Sequence, residues 1–461
     1  MAITLAVTAA CAQESSEHSL VIAGPSNGGE EPTTPESLDA SVDAALADVQ
    51  DFWRETYPSV YGGEYEELAG GIHPYGPNTE TPPCGPDPIT YEEIANNAFY
   101  CPLDDLIAYD EATLIPDLAA EFGAFTVGIV FAHEWGHAIQ FRAGQDTGPT
   151  LIMEMQADCF AGAWTRWIAD GNSDDFAVTE EELNNSVAGM TEIRDIPGTG
   201  ADDPLAHGLA FDRVGSFQDG FELGAARCAE YPSIQDELPI VEIPFTSEEE
   251  AATGGNLALD DLLPLTEQNL NAFYRVLFEE ELNAEWQPVD DLVILDRSGE
   301  DQSCDGQDLS SGDFGFASGY CQDQNVVVLG DELTDALNEL GDFAVGSEIG
   351  RLWTRAAQLQ LDVDIDDLPA ASLQADCLTG VWAAANFPLD QEGNTTLNQQ
   401  VGNEEAGLVL SAGDLDETIQ GFLTYGDQLE EETGTVFERV GALRDGFVEG
   451  VAACEEFGPL G

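Results

Sequence analysis

Lysine is absent from this chain of 461 residues; its 12 basic residues are all arginine and face 90 acidic ones. The formal net charge of -78 disfavours nucleic-acid binding, because phosphate contacts need clusters of Lys and Arg. Histidine is scarce, with only His18, His73, His133, His137 and His207. No apolar stretch is long enough to span a bilayer, which excludes a transmembrane helix. None of the nine cysteines stands in a CxxC pair, which argues against a cysteine-held zinc cluster. The acid does not exclude folding, since it is spread along the whole chain and 43% hydrophobic residues suffice for two cores. The expectation is a folded, salt-adapted (halophilic) protein. Like-charge repulsion disfavours its compact state, and screening shortens from about 10 Å at 0.1 M salt to about 3 Å at 1 M.

Against that scarcity of histidine, the segment His133-Glu134-Trp135-Gly136-His137 stands out. Two histidines at i and i+4 on a helix present both imidazoles on one face, within reach of one metal ion. Glu134 can then hold a metal-bound water and take its proton as general base. The flanks Phe125 to Ala132 and Ala138-Ile139 are apolar, so the helix is expected to be buried, and polar groups there require partners. A catalytic zinc site uses three protein ligands and an open position, and two histidines with one glutamate form such a set. Downstream, Glu154-Met155-Gln156-Ala157-Asp158 leaves room for a turn and a returning helix. Glu154 is therefore expected as third ligand. Asp158, one helical turn on, is placed to accept the free N–H of a ligating histidine.

An internal repeat acts as a control. Phe125 to Gln140 lines up with Phe343 to Gln358, with Val127/Val345, Gly128/Gly346, Trp135/Trp353, Ala138/Ala356 and Gln140/Gln358 identical. Gln156-Ala157-Asp158-Cys159 matches Gln374-Ala375-Asp376-Cys377, and Phe211-Asp212-Arg213-Val214-Gly215 matches Phe437-Glu438-Arg439-Val440-Gly441. The reading is a duplicated domain of about 200 residues. His133, Glu134, His137 and Glu154 become Arg351, Leu352, Arg355 and Ser372 in the second copy. Packing residues stay while the proposed ligands and base leave together, so the second copy is expected to be a pseudo-enzyme. His207 aligns with Thr433 and is a candidate donor to a developing oxyanion, or simply a polar residue ahead of a helix.

These residues resemble the neutral zinc metallopeptidase family of bacteria, within the larger HExxH zincin group. The resemblance is carried by His133 to Gln140, by Glu154 to Gly162 and by the Asp203 to Gly220 stretch. It covers most of the first half and, in degraded form, the second. It implies Glu154 as the zinc-binding glutamate and Asp158 as the acid behind a histidine. The fused, disarmed copy departs from the family and puts simple transfer of substrate preference in doubt.

The repeat also sorts the cysteines, since Cys84, Cys101, Cys159 and Cys228 match Cys304, Cys321, Cys377 and Cys454. Four per copy suggest two disulfides per copy and an oxidising, extracytoplasmic compartment. Of three connectivities the favoured one is Cys84–Cys101 with Cys159–Cys228, copied as Cys304–Cys321 with Cys377–Cys454. Cys11 is the odd one out. It follows small apolar residues and precedes a polar stretch, like a lipoprotein signal whose lipidated cysteine would tether the protein to a membrane. Cleavage after Ala12 is the alternative, and either route exports the protein. The acidic run Asp362 to Asp367 lacks the glycine and terminal glutamate of an EF-hand loop and reads as a solvated loop.

The expected organisation is an export segment and tether at 1–36, a metallopeptidase domain at 37–235, a linker at 236–256 and the degenerate repeat at 257–461. Each copy opens with an amphipathic helix around Phe52 or Phe273. The segment Asp105 to Tyr109, echoed by Val326 to Leu329, reads as a strand, and by analogy with zincins it should rim the cleft. The fold class is helix-rich α+β, a zincin-type domain in tandem. The expected function is zinc-dependent hydrolysis of peptide bonds in a peptide or protein substrate. The rival reading is a catalytically silent surface scaffold with a structural zinc. Against it, such zinc is normally closed by four protein ligands, and no fourth is evident.

Overall fold

A computed structural model of the chain describes residues 37–460, apart from 87, 201–205, 242, 246, 296–302, 309–314, 366, 388–406 and 430–432. Cys11 and the 1–36 segment lie outside the described residues. The first helix, Leu38–Val60, starts at Ser37, whose hydroxyl accepts the Ala40 N–H and so satisfies one of the free donors of a helix start. Val42, Ala45, Leu46, Val49, Phe52 and Trp53 recur at helical spacing and bury one face.

A small sheet follows. Strand β1 (Gly71–Tyr75) and strand β2 (Ala98–Cys101) flank strand β3 (Leu106–Asp110), β1 parallel to it and β2 antiparallel. The strand legible in the sequence is thus the central one, and this corrects its placement as the rim of the cleft. Its run Leu-Ile-Ala-Tyr is apolar because both faces are covered. Ile107 and Tyr109 join the main core, while Leu106 and Ala108 join a smaller cluster with Tyr75 and Cys101. The edge positions belong to β1 and β2.

Three long helices come next. The histidine helix, Ala124–Ala143, ends at Gly144, whose left-handed backbone lets its N–H reach the Gln140 and Phe141 carbonyls. The glutamate helix, Thr150–Trp167, returns across it at Gly136, where a Cβ would stand 2.9 Å from the Ala157 Cα. The arginine helix, Ala210–Leu223, crosses the glutamate helix through paired glycines. A Cβ on Gly162 would meet the Phe217 carbonyl oxygen at 1.9 Å, and one on Gly220 the Cys159 carbonyl oxygen at 1.7 Å. These contacts admit only glycine.

In the second half, strands β4 (Asp291–Leu295), β7 (Ser318–Cys321) and β8 (Val326–Gly330) form a sheet of order β4-β8-β7, again one parallel and one antiparallel pair. Between them β5 (Ser303–Cys304) and β6 (Gln307–Asp308) form a short ladder. The helices Asp342–Gln360, Leu368–Asn386 and Val436–Glu449 repeat the glycine crossing, with Gly380 against Leu443 O and Gly446 against Cys377 O. The disulfides are Cys84–Cys101, Cys159–Cys228, Cys304–Cys321 and Cys377–Cys454, the favoured connectivity of the three. Architecturally the protein is helix-rich with small mixed sheets.

The halves meet where the arginine helix packs on Val436–Glu449. Phe217 and Phe221 stack edgewise on Phe437, Gln218 Nε2 donates to the Phe437 carbonyl at 2.8 Å, and Arg444 pairs with Asp219 at 2.9 Å. The 236–256 stretch is partly packed, with Leu238 and Val241 buried and a helix at Glu248–Thr253. No helix among the described residues is long and apolar enough to cross a membrane.

Candidate metal centre

His133 and His137 lie one turn apart on the buried histidine helix, and Glu154 enters from the second turn of the glutamate helix. Their donor atoms converge. His133 Nε2 stands 3.1 Å from His137 Nε2 and 3.2 Å from Glu154 Oε2, and His137 Nε2 is 3.5 Å from Glu154 Oε1. Donors on a tetrahedron with bonds of 2.0–2.1 Å would stand about 3.4 Å apart, and one donor atom from each of the three residues lies within 4.8 Å of the others, so the set suits a zinc ion.

Both ring orientations are fixed from behind. Nδ1 of His133 donates to Asp158 Oδ1 at 2.7 Å, and Nδ1 of His137 donates to Gln140 Oε1 at 3.0 Å, leaving each Nε2 free to bind. Asp158 is in turn gripped by Arg213, whose Nε reaches Oδ2 at 2.8 Å and Nη2 reaches Oδ1 at 2.9 Å. Gln140 Nε2 donates to the Met153 carbonyl at 2.6 Å, which ties the His137 support to the residue before Glu154. Arg213 and Gln140 stand in segments that the sequence singles out, but the bonds from Arg213 to Asp158 and from Gln140 to Met153 cross helices and leave no local trace there.

Glu134 points to the strand side, where its Oε2 accepts the Tyr100 backbone N–H of edge strand β2 at 2.9 Å. Burial pushes its carboxyl above the ordinary glutamate range, with Glu154 adding to that and the two histidines and the Tyr100 N–H acting against it. Burial also works against the charged ring of His133, but Asp158 and Glu154 outweigh it and push this histidine up to about 10 in the metal-free protein. His137 is raised in the same way, burial opposing and Glu154 prevailing. Burial acts to raise Glu154 and Asp158, yet both are held below their usual range, Glu154 by the two histidines and Asp158 by Arg213 and His133.

His207 is not a member of the converging trio. Its side chain is 56% exposed, its Nδ1 lies 3.4 Å from Asp195 Oδ1, and its backbone N–H donates to Asp195 Oδ2. The adjoining Gly208 packs close to Leu151 at the start of the glutamate helix. Asp195 is a partner that the sequence did not suggest. The acidic run from Asp362 has Asp362, Asp364 and Asp367 exposed, with residue 366 outside the described residues.

The equivalent place in the second half is filled by a guanidinium. Arg351 Nε pairs with Asp376 Oδ1 at 2.6 Å, Nη1 donates to Glu348 at 2.9 Å and Nη2 to the Ser372 hydroxyl at 2.9 Å. Arg439 holds the other oxygen of Asp376 at 2.9 Å, as Arg213 holds Asp158. Arg355 Nη1 donates to Gln358 Oε1 at 3.1 Å, the relation of His137 to Gln140. Where the first half has His133, His137 and Glu154, this half has Arg351, Arg355 and Ser372, and Arg351 and Arg439 satisfy the buried Asp376.

Among known proteins, the chain is similar to the uncharacterized proteins YpfJ and Rv2575. YpfJ of Escherichia coli (strain K12) is 30% identical over 151 residues, covering 28% of this chain and 52% of the relative. Rv2575 of Mycobacterium tuberculosis (strain ATCC 25618 / H37Rv) is 27% identical over 151 residues, covering 27% of this chain and 52% of the relative. The chain therefore spans about half the length of the curated relatives it matches. No solved structure matches. Residues 6–231, which include every donor of the converging trio, match a family model, and over that stretch the chain belongs to the family described as "Putative neutral zinc metallopeptidase".

Proposed function

We propose that the protein is an extracytoplasmic zinc-dependent metallopeptidase whose chemistry is confined to a catalytic domain at about 37–235. The observation that carries this is the convergence of His133 Nε2, His137 Nε2 and Glu154 at 3.1 to 3.5 Å. A zinc ion held by these three would act as a Lewis acid and supply a water with its pKa lowered toward about 7. Glu134 takes the proton of the attacking water and delivers it to the leaving amine; a buried, raised carboxyl is suited to both transfers. Asp158 and Gln140 hold the histidine rings in the binding tautomer. Edge strand β2 turns its Tyr100 N–H toward Glu134, so it is the rim along which an extended peptide would lie. His207, held by Asp195, would donate to the oxyanion as the carbonyl is attacked.

The second half, about 257–461, is in this reading a tandem copy whose metal centre was replaced by Arg351. Support comes from the equal order of the two sheets, the matched disulfides and the matched glycine crossings. Four disulfides favour an oxidising compartment, reached by an export segment at 1–36 with lipidation at Cys11 as the tether. The test is cleavage of a peptide library by zinc-loaded protein in high salt, with Glu134→Gln alongside. Cuts made by the wild type and absent from the variant support the reading. A folded, zinc-containing wild type that makes none overturns it.

A further inference from the structure

The arginine helix begins without a cap of its own. Its N-cap residue is Leu209, which has no side-chain acceptor, and the first N–H groups of a helix have no partner inside it. Those of Ala210 and Phe211 donate instead to the two oxygens of Asp416, each at 3.0 Å. Asp416 belongs to the second half, on the helix Asp414–Leu429, and its side chain is 2% exposed. Its Oδ2 also pairs with Arg194 at 3.2 Å. Arg194 follows Ile193, whose carbonyl accepts Arg213 Nη1 at 2.9 Å. One buried carboxylate thus fixes two of the supports of Arg213, the start of its helix and the loop beside its guanidinium.

The matching helix of the second half supplies a contrast. Val436–Glu449 is capped locally, Thr435 Oγ1 accepting the Glu438 N–H at 3.1 Å and Glu438 Oε2 accepting the Thr435 N–H at 2.8 Å. Among the described residues, the first-turn N–H that the other half caps is that of Phe437, which donates to the neutral Asn184 Oδ1 at 3.2 Å. Among the described residues, the group that crosses over to hold a helix start is charged in the direction of the metal centre and neutral in the other.

We infer that Asp416 is a positioning residue for the first half's metal centre, acting through Arg213 and Asp158 on His133. The path is continuous, from Asp416 to the first turn of the arginine helix, from Arg213 to both oxygens of Asp158, and from Asp158 Oδ1 to His133 Nδ1. A carboxylate at a helix start also complements the positive end of the helix dipole, so its loss loosens the turn that carries Arg213. The disarmed half is on this view a structural component of the working site. The inference rests on the metal-centre reading above, and its test has an arm that needs no metal.

The experiment uses the full chain, with Asp416→Asn and Asp416→Ala, and Asn184→Ala as the control at a different contact between the halves. In metal-free protein, nuclear magnetic resonance reads the solvent exchange of the Arg213 Nε–H. A competitive zinc titration against a chromogenic chelator then reads affinity. Both Asp416 variants are expected to exchange the Arg213 Nε–H about tenfold faster and to bind zinc about tenfold more weakly, the low end for groups behind a metal ligand. Asn184→Ala should match the wild type in both. Asp416 variants that melt lower yet keep wild-type exchange at Arg213 overturn the inference, because a general loss of stability alone would do that. Should Asp416→Ala fail to fold, Asp416→Asn, which keeps shape and one acceptor oxygen, decides. A wild type that takes up no zinc removes the metal-centre reading, while the exchange arm still judges the path from Asp416 to Arg213.

Discussion

Arg351 Nε stands 2.6 Å from Asp376 Oδ1, the relation that His133 Nδ1 holds to Asp158 Oδ1 at 2.7 Å. In one half the acid steadies a ring whose other nitrogen faces two further donors. In the other the same acid is neutralised by a guanidinium that also bonds Glu348 and Ser372. A buried acid is costly unless it is paired. Arg351 and Arg439 pair with Asp376.

Removing Arg351 should therefore be severe. Arg351→Ala leaves Glu348 buried without the cation it pairs with and Asp376 with Arg439 alone, and loss of one member of a buried ion pair costs about 3–5 kcal/mol. Urea unfolding of variant and wild type at equal salt measures the difference. A loss under about 1 kcal/mol, the range of an exposed pair, would mean that water or a rearranged Arg439 compensates.

Asp158 predicts the converse experiment. Asp158→Asn removes the charge that Arg213 grips and the acceptor that fixes His133, while the three donors stay in place. Zinc affinity should fall about 10–100-fold, read by competition with a chelator, and the metal content of freshly purified variant should drop accordingly. His133→Ala should abolish binding, and Glu134→Gln should leave it close to wild type. Equal affinity in Asp158→Asn and wild type would remove Asp158 from the support of the site.

How far the site was legible follows from the range of each interaction. His133, His137 and Glu134 are set by a four-residue helical spacing, so the sequence displays them directly. Glu154 and Asp158 needed only a returning helix, which Gly136 allows to come close. Matching the two halves of the sequence sorted the cysteines into two sets of four, but four cysteines permit three connectivities, and only the fold picks one. Strands β1 and β2 went unread, being short and interrupted by Pro74 or bounded by Cys101, and with them the central position of β3. Arg213 on Asp158 and Asp416 on the arginine helix are contacts between residues 55 and 206 positions apart. No periodicity encodes such pairs.

The surplus of acid makes salt a variable of stability. With a net charge of -78, repulsion between exposed carboxylates opposes compactness and is screened as the Debye length falls from about 10 Å to about 3 Å. The melting temperature should rise from 0.1 M to 1 M potassium chloride and do so monotonically. A flat or falling curve would show that the acid is already balanced within the fold and that the composition has another origin.

Asp342, Asp414 and Glu417 give the sharpest dependence on pH. Their carboxyl oxygens lie within 4.8 Å of one another and all three residues are buried. Their described partners are backbone N–H groups and Ser411: Leu257 N for Asp342, Ser411 N and Oγ for Asp414, and Phe343 N for Glu417. Burial pushes all three above the ordinary carboxylate range, and mutual repulsion pushes Asp414 and Glu417 further. The folded state therefore keeps protons that the unfolded chain releases at about pH 4. Stability from this cluster is complete below that value and is lost as pH rises through the raised folded values. Asp414→Asn removes one of the charges and should raise the melting temperature more at pH 8 than at pH 5. Subtracting wild type from variant at each pH cancels the many other carboxylates of the chain. A gain of equal size at both values would mean that the three groups are already ionised and separately satisfied in the folded protein.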